Sequence, residues 1–532
     1  MNHISHSRKW RVAPAMILGL AVFLTGCDDL LDVDLPATIT TDALDNPDIA
    51  EVLVNSILAA VECSYSRFIV GDAPGMADAL ISHDNATNLE YEDVVDTSGC
   101  GGGDNFSWFN PFQEARFSAL DTYGRIDVWT VEELERGLVV LDSREQMLAI
   151  SALYASIPFQ IFGEHLCEVS FDRGELFAPD TVLGMAEQWA TTAIGHIQAH
   201  IAAYIINDGT GTPGTDADAR LMPYGISDDV EAMAYALRAR ARWARGNNAG
   251  AALDAAEALT RDSKFNALVT RESGGESQRQ NHFWDEHVDN LEVSVAGVVD
   301  WWEDPSGGTN PGGPWPVNLA GNGQERLIPF TGYRELAIAP DGRAVDPDGN
   351  AITLTTAFAV LDPRVDVVFA RRGLDNGDDG WLQQKYSDED DDITLVGWQE
   401  MILIQAEAAS DGAAIIFINV LRAAAKLPLV TYGPTGDQVE NMIIEERRRQ
   451  LFLEGRFWAA KIRNQQPGTT KLWFPRELDD NGEEDPEENT LQGGVRQRMS
   501  NAEFDLNDNF SRSDRATLCI TEQRPVNPLV LN

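Results

Sequence analysis

The chain has 532 residues, 43% of them hydrophobic and 23% charged. This is a globular composition, long enough to bury an ample core and to make about three domains or one repeat-built body. Lys and Arg number 40 against 85 Asp and Glu, a net charge of −45, so nothing supplies the basic patch that nucleic-acid phosphates or an anionic lipid surface need.

The first predicted segment, residues 1–26, is an export signal. Arg8, Lys9 and Arg11 form its positive end, and Met16 to Leu24 its apolar stretch. That stretch is too short for a bilayer, which takes about 20 residues, and of the right length for a secretory signal. It ends in Leu24-Thr25-Gly26-Cys27, which resembles the lipobox of bacterial lipoproteins, in which the Cys is diacylated and becomes the first residue. Cys27 is therefore the expected lipidation site, and a lipid tether would hold the body to a membrane. Cys63, Cys100, Cys167 and Cys519 remain, an even number that favours disulfides in an exported chain. Four Cys allow three pairings, and no C-x-x-C spacing suggests a zinc or thioredoxin-like site.

Residues 27–48 read as an acidic tether and 49–262 as a helical region. Helical patterns cover Pro47 to Phe68, Pro111 to Ala119 and Val131 to Val140. Ser143 reads as the N-cap of a helix to Phe162, and Pro179-Asp180-Thr181 starts another to Ile205. Ser227-Asp228-Asp229 caps a helix that ends at Gly246, and its partner runs from Asn248 to Thr260. The stripes Ala232, Tyr235, Ala236, Ala239, Trp243 and Ala251, Ala252, Ala255, Ala256, Leu259 bring small residues together across a Gly turn. That is the packing of tetratricopeptide-type (TPR) hairpins without their full consensus. Residues 263–394 are rich in Gly, Pro, Asp and Trp and read as an irregular insertion with short β-like runs such as Val293–Val299 and Ala357–Leu361. In 395–466 the hairpin pattern returns: Trp398 to Ala408, a turn at Asp411-Gly412, then Ile415 to Leu421. Residues 467–532 are irregular, with a solvated acidic run at Asp479–Glu488.

Several chemical motifs fail. The glycine-rich run Gly209 to Gly214 follows a helix rather than a strand, so it does not read as a nucleotide loop. His196 and His200 lack the Glu of a zinc-protease helix and read as two surface His on one helix face. Asp375 to Gly380 starts like a calcium loop, but position twelve is Tyr386. A looser structural calcium site there or at Asp388–Asp392 stays open, and no other metal or cofactor is expected. The aromatics of the insertion carry more. Trp284, Trp301, Trp302, Trp315, Tyr333 and Trp381 are the candidate ligand platforms, able to stack on sugar faces beside carboxylates that take hydroxyls. The competing use of each is to pin a loop to the helical body.

The run Ile443-Ile444-Glu445-Glu446-Arg447-Arg448-Arg449-Gln450-Leu451-Phe452-Leu453-Glu454-Gly455-Arg456-Phe457-Trp458 resembles the signature of SusD/RagB outer-membrane lipoproteins. Gln405-Ala406-Glu407-Ala408, Asn419-x-x-Arg422, Asp362-Pro363-Arg364 and Gln384-Lys385-Tyr386 fit the approach to that signature. Cys27 to Val33 is similar to the family's mature start, and Cys519 with Asn527-Pro528 to its end. Trp458-Ala459-Ala460-Lys461 departs from the usual sequence, and the final motif is degraded. Physically, the signature reads as one structural helix with i,i+4 pairs such as Glu445–Arg449 and an apolar stripe of Leu451, Phe452 and Trp458.

The resemblance implies a mainly α fold, a right-handed TPR-like scaffold of helical hairpins carrying a large loop-rich insertion. It implies a surface lipoprotein of the outer membrane that captures a nutrient, commonly an oligosaccharide, for a SusC-like TonB-dependent transporter, with no catalytic residues. The alternatives are a surface-tethered hydrolase and an assembly adaptor that binds protein only.

Overall fold

The computed structural model describes residues 41–70, 108–206, 216–273, 279–285, 359–370, 380–430, 435–463 and 501–514, less single positions at 135, 139 and 142, with isolated short segments elsewhere. The chain divides after Asn46 into two units. In the first, only the end is described, with a helical turn at Thr41–Leu44. The second, residues 47–532, carries the helical body.

The fold is mainly α. After a 3-10 turn at Pro47–Ile49 come α1 (Ala50–Val70), α2 (Phe109–Val128), α3 (Arg144–His165), α4 (Pro179–Ile206), α5 (Val230–Ala244) and α6 (Asn248–Arg261). Beyond the insertion lie α7 (Trp398–Ala408), α8 (Asp411–Ala424) and α9 (Asp437–Gln450). Each helix from α1 to α8 packs against the next, including α6 against α7 across the insertion. This is the TPR-like succession of hairpins that the small-residue stripes predict.

The predicted caps at Ser143 and Asp229 are present, and Asn247 adds a third. The Ser143 side chain accepts from the Gln146 N–H at 3.1 Å, the Asp229 side chain from Ala232 N–H at 2.7 Å, and Asn247 from Gly250 N–H at 3.0 Å. Each satisfies a donor that the first helical turn leaves open. α3 is buried along its length, which makes it the axis of the core. By length and composition, Pro47–Ile69 and Arg144–His165 could cross a membrane, but 67% and 94% of their apolar windows are buried inside the fold.

Three elements differ from expectation. The helix predicted over Val131 to Val140 is one turn, Val131–Leu134. Beyond it the Val140 and Leu141 N–H groups donate to the Glu51 carboxylate, at 3.0 and 3.3 Å, instead of to helical carbonyls. Asp411-Gly412 is the first turn of α8 rather than the link before it, with Ser410 at the cap position and making no side-chain cap hydrogen bond. On α6 the buried face is Ala251, Asp254, Ala255 and Ala258, and Ala256 is exposed. Asp254 is drawn inward by Arg238, at 2.8 and 2.9 Å, and Arg242 at 2.7 Å, both from α5.

Short strands do the local fastening. β1 (Val169–Ser170) and β2 (Leu176–Phe177) form an antiparallel hairpin. Its turn holds Asp172 and Arg173 at φ 53° and 59°, left-handed positions that cost a non-glycine residue about 1–2 kcal/mol each. Asn507 and Asn509 clamp the turn. Asn507 Nδ2 donates to Gly174 O at 3.0 Å, and Asn509 Nδ2 to Arg173 O at 2.7 Å. β3 (Asn266–Val269) pairs antiparallel with β4 (Ile393–Gly397), so the insertion leaves and returns through one two-stranded stem. Inside it, the expected β-like runs appear as Val293–Ser294, Val298–Val299 and Ala359–Leu361. Cys63 and Cys167 are buried, whereas Cys27, Cys100 and Cys519 lie outside the described residues, as does the run 209–214.

Close helix approach makes one glycine irreplaceable and leaves another idle. A Cβ on Gly163 in α3 would sit 2.6 Å from Leu183 Cγ of α4, whereas one on Gly195 would meet nothing within 4 Å. Gly163→Ala should lower unfolding free energy by about 1–3 kcal/mol. Gly195→Ala should raise it by about 0.4–1 kcal/mol. Denaturant titration of the two variants checks both signs.

Candidate functional site

The signature run is not one helix. α9 ends at Gln450, residues 451–455 form a turn, and a new helix runs Phe457–Arg463. Gly455 makes the turn possible: it has φ 66°, and a Cβ there would lie 2.8 Å from Ile69 and 2.9 Å from Phe68. The described charges of the run are not exposed either, and the Glu445 side chain lies outside what is described. Arg447, Arg448, Arg449, Glu446 and Arg456 are buried, and the partners found for them are distant in sequence.

Two ionic centres result. In the first, Arg456 donates to Glu164 of α3 at 2.5 and 2.9 Å and to Glu400 of α7 at 3.1 Å. Arg240 of α5 donates to Glu400 from Nη2 at 2.5 Å and from Nε at 3.1 Å. Arg447 donates to Glu407 at 2.7 Å, which also accepts from Trp243 Nε1 at 2.6 Å. The Arg447 guanidinium lies 4.4 Å from the centre of the Trp243 ring. In the second, Asp362 holds Arg364 at 2.9 Å and Arg449 at 3.3 Å. Glu446 takes Arg364 and, at 3.0 Å, Arg422. Arg422 Nε also donates to Pro428 O at 2.6 Å, and Asn419 exchanges two hydrogen bonds with Val430. Burial alone would raise the Glu400 carboxyl, but Arg240 and Arg456 outweigh it and bring it down to about 2. Arg456 likewise holds Glu164 below its ordinary value against the opposing effect of burial.

These centres frame the footing of the insertion. Lys385 Nζ donates to Phe452 O at 2.7 Å and Glu454 at 2.8 Å, and Tyr386 Oη donates to Leu453 O at 3.2 Å. The Gln384-Lys385-Tyr386 segment is thus the dock for the signature turn. Tyr386 stacks on Phe283, with centroids 5.1 Å apart and rings tilted by 12°. Beside it, Ser66 Oγ and His282 Nδ1 share a hydrogen bond at 2.7 Å. Thr270 donates to Glu62 at 2.9 Å, and Arg271 Nη2 lies 3.5 Å from the same carboxylate. Burial, reinforced by Arg271 and Arg67, pushes His282 down to about 3. Burial likewise pushes His165 down to about 4.

Of the candidate platforms, Trp284 is half-buried in the one-turn helix His282–Trp284. Asn281 caps that turn by accepting from Phe283 N–H at 2.8 Å and Trp284 N–H at 3.4 Å. Trp284 therefore sits at the root of the insertion. Trp381 lies on the strand Gly380–Gln383, in register with Phe369. Trp301, Trp302, Trp315 and Tyr333 lie outside the described residues, as does 371–379. At the other calcium candidate, Asp391 accepts from the Ser387 and Asp388 N–H groups at 2.6 and 2.9 Å, and Asp392 from Arg271 N–H at 2.7 Å. These carboxylates organise the stem. Among the described residues no group of three or more His, Cys, Asp or Glu is placed to hold a metal.

Of the two His of α4, expected at the surface, His196 is half-buried and His200 is not exposed. His200 is buried and shares a hydrogen bond with Ser143 at 2.8 Å. His196 bridges Glu145 at 2.7 Å and Tyr123 Oη at 3.0 Å. Sequence reasoning also passed over Glu164, Arg240, Glu400, Glu62 and His282. Arg240 and Glu400 carried a signal, since each stands within the apolar stripe of its own helix.

No protein-family model matches the chain, and no curated protein sequence does. Solved structures do. A SusD superfamily protein from Parabacteroides distasonis superimposes with TM-score 0.50 over 86% of this chain and 98% of that one, at 9% identity. The fold is SusD-like. A SusD superfamily protein from Bacteroides thetaiotaomicron gives 0.47 over 87% and 97%, at 14% identity. A SusD-like carbohydrate binding protein from Bacteroides vulgatus gives 0.44 over 79% and 84%, also at 14%. What is shared at these identities is the path of the backbone, and this SusD-like fold contains both ionic centres and the stem.

Two outcomes test the ionic architecture. Arg456→Ala leaves Glu164 and Glu400 buried against reduced positive charge, and should cost about 3–5 kcal/mol of stability in denaturant titration. The pH dependence has a worked sign. His165 and His282 are ordinarily near 6.5 and are depressed when folded, so their stabilisation is complete above that value. It falls as pH drops, by about 1.4 kcal/mol per unit for each group, until their folded values are reached. Glu400, ordinarily 4.5, adds a second loss between pH 4.5 and 2. Melting temperature measured against pH should show decline beginning near pH 6.5 and steepening below 4.5; a flat profile to pH 4 would contradict it.

Proposed function

We propose that this chain is a surface-exposed outer-membrane lipoprotein, anchored through Cys27, that captures a nutrient and delivers it to a SusC-like TonB-dependent transporter. The observation that carries this reading is the SusD-like backbone, which spans 98% of a SusD superfamily structure. The lipobox-like Leu24-Thr25-Gly26-Cys27 supports the anchor. The ligand is an oligosaccharide or other glycan, the class bound by the Bacteroides vulgatus neighbour and suited to a Trp-rich, acidic insertion.

Binding, not turnover, is the activity. Among the described residues of the footing, the nearest approach to a nucleophile–base pair is Ser66 with His282. Ser66 is fully buried, and a nucleophile must reach its substrate. Cys63, Cys100, Cys167 and Cys519 are the candidates for at least one disulfide in the oxidising space outside the cell, and no cofactor is needed.

Gentle detergent purification of the lipidated protein from its native envelope should bring a large barrel in stoichiometric amount. Its absence, where other envelope complexes survive, would favour a free-standing binder or an enzyme. Trp301→Ala and Trp302→Ala should each weaken binding of a neutral oligosaccharide by roughly 1–3 kcal/mol, the scale of one lost stacking partner. Calorimetry gives the number, and unchanged affinity in both variants removes those two residues from the site.

A further inference from the structure

A cavity of about 610 Å3 opens between the first half of α2, the turn of the β1–β2 hairpin and the short helix Asn501–Leu506. Its size falls within the range of small-ligand sites, and every element that forms it lies outside 263–394. One wall is a built structure. The buried Arg116 donates both Nη groups to Asp172, at 3.2 and 2.6 Å, and its Nε to Gln113 at 3.1 Å. Its guanidinium lies 4.7 Å from the centre of the Phe171 ring. Asn507, also buried, donates to Ser170 Oγ at 3.1 Å and to Gly174 O.

This clamp holds Asp172 and Arg173 in left-handed backbone with no glycine to ease it. Strain of this kind persists where the surroundings over-determine it, and it clusters at ligand sites. Here it presents two charged side chains at the mouth. Asp172 stays 59% exposed in spite of its pairing. A carboxylate has about four acceptor positions and a forked guanidinium takes two, so Asp172 keeps acceptors for outside donors. Glu503 stands across from it, its carboxyl raised by burial and opposed by Arg173. On the rim Phe117, 56% exposed, and Leu506, 71% exposed, supply an apolar face among the polar groups.

Glu114, Asp172 and Glu503 oppose an anion, while Arg116, paired with Asp172, and Arg173, acting on Glu503, offset most of the negative charge that would draw a cation. A neutral ring with one apolar face and an edge of hydroxyls satisfies both the apolar rim and the planar polar groups. We infer that this cleft binds a ring of a neutral saccharide, as a second site built from residues outside the insertion. The ligand class rests on the carbohydrate reading under the proposed function, and the location on the cleft alone.

The test titrates the mature lipoprotein, in detergent, with neutral oligosaccharides derived from starch, xylan, cellulose and xyloglucan. Calorimetry gives affinity, and hydrogen exchange monitors residues 109–118 and 169–174. Wild type is compared with Phe117→Ala, Phe117→Trp and a Trp301→Ala/Trp302→Ala double variant. A saccharide should slow exchange in both segments. Phe117→Ala should weaken that binding about tenfold, the effect of losing one stacking partner. Phe117→Trp, which keeps a ring, should retain it, and the tryptophan double variant, though weakened at the insertion, should keep the exchange protection of these two segments. Unchanged affinity and protection in Phe117→Ala, with loss in the double variant, ends the cleft proposal and leaves nutrient capture standing. Loss in Phe117→Ala alone supports the cleft and moves the principal site away from Trp301 and Trp302. A wild type that binds none of these saccharides overturns both.

Discussion

The fold depends on one buried arginine. Arg456 stands just after a glycine turn and joins Glu164 of α3 to Glu400 of α7, helices on opposite sides of the insertion in sequence. Arg240, Arg447 and Arg463 add charge around Glu400 and Glu407, so three carboxylates meet four guanidinium groups. A buried ion pair need not add net stability over an apolar packing of the same shape. What this arrangement does contribute is register: each guanidinium fork accepts few geometries, so α3, α5, α7 and α9 are held at one mutual setting.

That setting in turn positions the insertion. Its return limb docks on the signature turn through Lys385 and Tyr386, and its outgoing limb on α1 through Thr270, Arg271 and His282. Both limbs meet in the β3–β4 stem. Polar groups at such a footing are costly to bury unless each finds its partner, which makes the docking selective for one geometry. A rigid helical body thereby delivers a loop-rich segment at a fixed point, the usual division of labour between scaffold and recognition surface.

Much of this was legible in the chain, because helical periodicity and caps are local signals. Ser143, Asp229 and the small-residue stripes of α5 foretell their elements. The signature motif marked the right residues and the wrong reason for them. Charges spaced by four suggest surface pairs, yet Arg449 turns to Asp362, 87 positions away. A charge pattern alone cannot tell a solvated face from a buried network, since the partner that would decide it is nonlocal. His200 misled in the same way: helical spacing places it beside His196, but burial follows from the α3–α4 packing. The aromatic platforms lie on a segment without periodicity, where composition suggests a role and gives no geometry.

The two-stranded stem carries a consequence for how such a protein changes over time. Asn266 and Gly397 are ladder partners, so the chain between them departs and returns at the same place on the helical body. The entropy of closing such a loop grows only with the logarithm of its length. Lengthening, shortening or exchanging the distal part of the segment therefore leaves the hairpin succession and both ionic centres undisturbed, provided the short stretches that touch α1 and the signature turn are kept, together with Asp362 and Arg364 of the second centre. The scaffold behaves as a socket and the distal loops as an interchangeable cassette. Selection, or an engineer, can revise what is recognised without having to solve the folding problem again.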